Sequence, residues 1–199
     1  MLKNIILAGG RASRELSVLI PPGSNKVLLR IMGKPVLYYP LNNLMNINPV
    51  ETLLIYRSGE ENVYYEASKY GLNIYPIPQR EGETTREAVL SAESKLRDVD
   101  HFFLVFGDII VDRDAFTEVL STHLSEEPDA TLLAIPPDPR HVKTYGLMTI
   151  DENNYVKRVF EQPIDIDTGE PYYIPGGVYI VSTRILDYLE KGYSFPGAL

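Results

Sequence analysis

Residues 5–8, Ile-Ile-Leu-Ala, run without a polar break into Gly9-Gly10. No other stretch restricts the fold of this chain as tightly. A short apolar run closed by a glycine pair reads as a buried strand entering a tight turn. Glycines free the backbone to turn and leave its amides unobstructed, and successive amides form a concave anion site. Arg11 and Arg14 follow at once, with guanidinium donors suited to phosphate oxygens. Lys26 adds a point charge after a further loop. Leu7, Ala8, Gly9, Gly10, Arg11 and Ala12 thus form a candidate polyphosphate cradle, with Arg14 and Lys26 as its cations. The same residues also describe a tight strand-to-helix turn with solvated charges, and both readings stand at this point.

The loop is neither of the two common phosphate binders. The G-x-x-x-x-G-K-[ST] pattern is absent, and Ala12 stands where a G-x-G-x-x-G fingerprint needs its second glycine. A length of 199 residues fits a single domain. The net charge of -8 argues against a broad nucleic-acid surface while leaving room for a local basic pocket. With no cysteine there is neither a disulfide framework nor a thiolate metal site. No apolar run reaches the ~20 residues of a membrane span, and the N-terminus lacks a signal-peptide pattern. A cytoplasmic protein is expected, without membrane or nucleic-acid partners. His101, His123 and His141 lie far apart in sequence and read as surface or turn residues.

Along the chain, 15–24 has loop composition and reads as a mobile flap over the cradle. Pro35 suits the first turn of a helix carrying Val36, Leu37, Leu41, Leu44 and Met45, with Pro40 weakening or kinking it. Strands are expected at 52–56, 72–77, 101–106 and 130–135. Helices are expected at 60–70 with Gly71 as C-cap, at 84–96 with a Thr84/Glu87 capping box, and at 114–124. Strands alternating with helices predict an α/β protein with a doubly wound, mainly parallel sheet. Ligands of such sheets bind beyond the carboxyl ends of the strands. From residue 145 the pattern changes to strands at 146–150, 155–160 and 177–181, which read as a small antiparallel addition. A closing helix follows at 184–191.

Asp108, after an apolar strand and Gly107, is the sharpest candidate for chemistry. A carboxylate there can hold Mg2+, which takes one or two carboxylates plus phosphate oxygens, or it can be a turn aspartate. Asp112 and Asp114 read as helix-start carboxylates.

Two separated blocks carry a family resemblance: residues 7–14, LAGGRASR, and residues 25–35, NKVLLRIMGKP. Together they resemble the L-A-G-G-x-G-T-R-L and P-K-x-L-x-x-I-x-G-K-P signature of sugar-1-phosphate nucleotidylyltransferases. The chain departs from it at Ala12, Ser13 and Asn25. The resemblance implies a Rossmann-like nucleotidyltransferase fold over one domain, with 1–140 binding nucleotide and 141–199 binding sugar. It implies transfer of a nucleotidyl group from a nucleoside triphosphate to a sugar-1-phosphate, giving an NDP-sugar and pyrophosphate. Arg14, Lys26 and Asp108 would be catalytic, with Asp108 on Mg2+ as cofactor.

Residues 79–88 resemble Q-x-x-x-G-T-A-x-A, which implies nucleotide contacts from Gln79, Thr84 and Thr85, with Thr84 in place of the glycine. They look equally like the G-x-T-R-x-S-V block of methylerythritol phosphate cytidylyltransferases, through Thr85 and Arg86. Tyr145-Gly146 resembles the family's Y-G motif, and Glu161 the glutamate of F-x-E-K-P, with Gln162 replacing the lysine. Gly176-Gly177 resembles N-A/G-G-I-Y. These matches imply a sugar site of Tyr145, Gly146, Glu161, Gly176 and Gly177.

The family's second metal aspartate, in W-x-D-x-G-T, would fall beyond Leu199, which leaves a fragment, a lost C-terminal part or an incomplete site. The resemblance accommodates a homo-oligomer. A non-catalytic binding or regulatory domain is the alternative, as in subunits of translation initiation factor 2B.

Overall fold

The computed structural model describes residues 2–21, 23–70, 73–79, 82–138, 146–161 and 171–199. In chain order the elements begin with β1 (Leu2–Leu7) and α1 (Arg14–Ser17), then the hairpin β2 (Arg30–Ile31) and β3 (Lys34–Pro35). Next come α2 (Tyr38–Ile47), β4 (Thr52–Arg57), α3 (Asn62–Ser68), β5 (Ile74–Gln79), α4 (Thr85–Ser91) and α5 (Glu93–Leu96). They are followed by β6 (His101–Phe106), α6 (Arg113–Glu126), β7 (Ala130–Ile135), β8 (Leu147–Ile150) and β9 (Val156–Phe160). The last are β10 (Tyr172–Ser182), α7 (Ile185–Glu190) and α8 (Phe195–Ala198).

Successive side chains of a strand point to opposite faces, and here both faces are apolar. Ile5 and Ile6 are each fully buried but lie in different cores, as do Leu53 and Leu54, and Phe102 and Phe103. A strand apolar on both sides needs a helical layer on each. Val89, Leu96, Leu186, Leu189 and Phe195 cover the Ile5 face. Leu41, Leu44, Val63, Ala67, Phe116 and Val119 cover the Ile6 face. This is the doubly wound α/β arrangement expected from the alternation of elements.

The sheet order is β5-β4-β1-β6-β10-β8-β9, with β7 paired to β10 off that path. β5, β4, β1 and β6 are parallel. The expected antiparallel part joins them through β10, which pairs with β6, β7 and β8. β7 therefore joins β10 instead of continuing the parallel series. Gly177 has a φ of 78°, and the β10–β7 register shifts between Pro175 and Tyr179. A bulge with a residue in this conformation favours glycine. At the opposite edge, β5 carries Pro76 and Pro78.

Several local expectations are corrected. The helix expected around Pro35 begins at Tyr38, because Pro35 is taken by the β2–β3 hairpin. Met32 (φ 51°) and Gly33 (φ 79°) form the hairpin's two-residue turn. Pro40 then falls in the first turn of α2, where no intrahelical N–H is required, so it neither weakens nor kinks the helix. The helix expected over 84–96 is two, α4 and α5, broken at Ala92. Part of the expected flap is helical, since Ser13 caps α1 by accepting from the Leu16 N–H. Gly71, Leu72 and His141 lie outside the described residues. No helix among the described residues is long and apolar enough to cross a membrane.

Candidate functional site

Parallel register sets the rim. Leu7 is level with Ile55 and Phe106, and Arg57 with Gln79. The residues just beyond β1 and β6, and the last residues of β4 and β5, therefore share one edge: Gly9, Gly10, Asp108, Arg57 and Gln79. A Cβ on Gly9 would sit 2.4 Å from Gln79 Oε1, so the glycine admits the amide to the turn. The Gly107 N–H donates to the Leu7 carbonyl at 2.8 Å and ties the Asp108 loop to the end of β1.

Lys26 crosses this rim. Its Nζ lies 2.7 Å from Asp108 Oδ2 and 3.2 Å from where a Gly10 Cβ would be. Glycine turn, lysine and carboxylate thus occupy one spot, as the sequence predicts. The lysine opens a 3-10 turn, Lys26–Leu28, capped by Asn25. Asn25 is buried. Its Oδ1 accepts from the Val27 N–H at 3.0 Å, and its Nδ2 donates to the Ala8 carbonyl at 2.9 Å and to Glu60 Oε2 at 2.5 Å. The residue that departs from the family's proline therefore pins the lysine turn to β1.

Arg11 is not a free donor. It pairs with Glu83, whose Oε1 also lies 3.7 Å from Arg57 Nη1. Arg57 Nη2 donates to the Gly9 carbonyl at 3.1 Å. Arg14 is exposed at the start of α1 and makes no ion pair among the described residues. Ala12 is half-buried beside it. Thr84 is committed to the predicted capping box with Glu87, and Thr85 opens α4 behind it. Gln79 Nε2 donates to the Gly82 carbonyl at 3.2 Å. Arg86, which carried the cytidylyltransferase likeness, instead donates its Nε to the Leu189 carbonyl at 2.6 Å, joining α4 to α7.

On the other side of β10, a Cβ on Gly146 would stand 3.5 Å from the Phe160 carbonyl and 4.0 Å from that of Glu161, so these candidates are neighbours. The Ser194 hydroxyl donates to Glu161 Oε1 and accepts the Gly197 N–H at 3.1 Å. Gly177 packs beside Ile109 and Phe106, next to the Asp108 loop, while Gly176 faces Leu133 and Ile135 of β7. Tyr145 and Gln162 lie outside the described residues.

His101 and His123 correct the sequence reading. Their rings meet edge to face at 4.8 Å, and His123 is buried with Nδ1 3.0 Å from Thr131 Oγ1. Burial, and secondarily His101, holds the His123 pKa below the usual imidazole value. The described residues contain no group of three or more His, Asp or Glu able to hold a metal ion.

Sequence reasoning missed Arg57, Glu60, Glu83 and Ser194. Arg57 was within reach, as a charge closing an apolar strand run whose end must meet the rim. Ser194 was not, because nothing in 192–199 signals that its turn packs back on β9.

The matched sequence agrees with this geometry. Residues 3–196 match the nucleotidyl transferase family, and the chain belongs to it. It is 26% identical over 195 residues to a glucose-1-phosphate thymidylyltransferase of Neisseria meningitidis, covering 96% of this chain and 65% of that protein. It is 29% identical over 161 residues to the bifunctional protein GlmU of Zymomonas mobilis, covering 79% of this chain and 34% of that one. The chain thus spans less than two thirds of either relative. Its fold matches that of a UDP-glucose pyrophosphorylase from Acinetobacter baumanii with a TM-score of 0.78 at 16% identity, over 100% of this chain and 81% of that one.

Proposed function

We propose that this chain transfers a nucleotidyl group from a nucleoside triphosphate to a sugar-1-phosphate. The observation that carries the reading is the convergence of Gly10, Lys26 and Asp108 at the rim in a member of this family. Residues 1–140 act as the nucleotide part and 141–199 as the sugar part. The amides of Gly9 to Ala12, with Arg14, hold the departing phosphates. Lys26 leaves Asp108 and neutralises the reacting phosphates. A sugar-phosphate oxygen forms a bond to the α-phosphorus, the α–β bridge breaks, and pyrophosphate leaves. The attacking phosphate is already ionised, so no general base is needed. Positioning and charge neutralisation supply the rate.

Asp108 is the residue for Mg2+. Its carboxylate is one-third exposed and already faces a cation, and among the described residues no protein cage surrounds it. That arrangement suits an ion whose other ligands are phosphate oxygens and water. Bound there, Mg2+ would neutralise charge on the reacting phosphates. Gly146, Glu161 and Gly177 hold the sugar. The named relatives point to glucose 1-phosphate with dTTP or UTP as the first pair to try. Substrates of this kind do not cross membranes unaided, which favours a cytoplasmic protein.

The test is pyrophosphate release from dTTP, UTP, GTP or CTP with glucose 1-phosphate or mannose 1-phosphate and Mg2+. One pair giving sugar-dependent release supports the proposal. Nucleotide binding without release from any pair favours the regulatory reading, to which the pairing of both Arg11 and Arg57 with Glu83 lends support.

A further inference from the structure

The contact between α8 and Glu161 belongs to none of the motifs above. Ser194 is the N-cap of α8, and its oxygen accepts the Gly197 N–H at 3.1 Å. A hydroxyl has one proton to give, and an ionised carboxylate can only accept. With the cap bond fixing where the oxygen sits, that proton goes to Glu161 Oε1. One carboxylate oxygen is thereby occupied. The other, Oε2, has no partner among the described residues.

The cap is held rigidly. Phe195, the next residue, is 3% exposed and meets the Tyr179 ring edge-on at 5.3 Å. Tyr179 in turn lies 5.9 Å from Phe106, two residues before Asp108. The support beneath Glu161 therefore reaches β6, the strand that leads into Asp108. Gly146 lies beside the Glu161 backbone, where a Cβ would stand 4.0 Å from the Glu161 carbonyl.

We infer that Ser194 is a positioning residue for Glu161. It holds Oε1 so that Oε2 accepts from a hydroxyl of the sugar phosphate. The inference rests on the proposed function, in which Glu161 meets the sugar. Ser194 itself does not touch the reacting atoms, so its loss acts on sugar affinity and leaves nucleotide affinity alone.

The experiment uses the whole chain and two titrations per sample: glucose 1-phosphate followed by saturation-transfer NMR, and dTTP with Mg2+ followed by calorimetry. Ser194→Ala weakens glucose 1-phosphate by roughly 5- to 10-fold, the size of one side-chain hydrogen bond, with dTTP affinity unchanged. Ser194→Thr, which keeps the hydroxyl, restores sugar affinity to within about 2-fold. Glu161→Gln weakens the sugar phosphate, and adding Ser194→Ala to it costs little more, since the two act through one contact. Unchanged sugar affinity in Ser194→Ala, equal loss for both ligands, or additive losses in the double variant overturns the inference alone. Wild-type protein that binds dTTP but not glucose 1-phosphate or mannose 1-phosphate also overturns it. Wild-type protein that binds neither kind of ligand overturns the functional reading beneath it.

Discussion

Lys26 Nζ and Asp108 Oδ2 lie 2.7 Å apart, so cation and carboxylate neutralise each other. In the proposed function a nucleotide separates them. Lys26→Ala therefore weakens triphosphate binding with and without Mg2+, by roughly 1.5–3 kcal/mol for a charge-assisted contact. Asp108→Asn frees the lysine, so chelator-treated protein binds at least as tightly as wild type but loses the gain that Mg2+ confers. Calorimetry of both variants with Mg2+ and with chelator decides this. A Mg2+-dependent gain that survives Asp108→Asn leaves Asp108 as a turn residue.

Asn25→Ala removes three bonds to β1, the lysine turn and Glu60. It leaves the buried Ala8 carbonyl and the Glu60 carboxylate short of a donor. A cost of about 1–3 kcal/mol is expected, the penalty for a buried polar group left unpaired. Urea denaturation measures it, and a stability equal to wild type would mean water replaces the amide.

Arg86→Ala is expected to lower stability through the lost bond to the Leu189 carbonyl while leaving nucleotide affinity intact. If a triphosphate binds more than about tenfold more weakly in a still-folded variant, the cytidylyltransferase likeness of residues 85–89 is functional after all.

The buried His123 gives a pH dependence with a definite sign. Its folded pKa lies below the usual imidazole value, with burial the main cause and His101 the second. As pH falls through the unfolded value, the unfolded chain takes up a proton that the folded chain refuses. Stability contributed by neutral His123 is therefore full above about pH 6.5 and drains away below it, down to the folded pKa. Denaturation curves for wild type and His123→Gln, from about pH 7.5 to about pH 5, should converge as pH falls. Parallel curves would show that His123 is not responsible.

Phe195→Ala removes a ring packed on Tyr179. It should cost about 3–5 kcal/mol, the usual range for a buried aromatic, and a thermal melt would read it. A change under about 1 kcal/mol would mean that α8 is not anchored as described.

The alternating pattern made the central strands legible: 101–106 and 130–135 coincide with β6 and β7. That Gly9 and Asp108 share one rim was legible because both follow apolar strands of one parallel sheet. Partner choice was not. β7 looks like another parallel strand, and only the long β10, running back between it and β6, shows otherwise. The two histidines are far apart in sequence and touch because β6 and α6 bring them together. α1, α5 and α8 are four residues each, too short for a hydrophobic period to register.

The two prolines of β5 decide how this molecule can meet others. Along a strand the N–H groups alternate sides, and only the residues facing away from the neighbour can give theirs up. Pro76 and Pro78 must therefore be the outward-facing pair, leaving Ile77 to face β4. That border offers an incoming strand no donors at those positions and resists cross-molecular pairing. The sheet has its growth barred at the β5 border, so fibre-like stacking through that border is disfavoured.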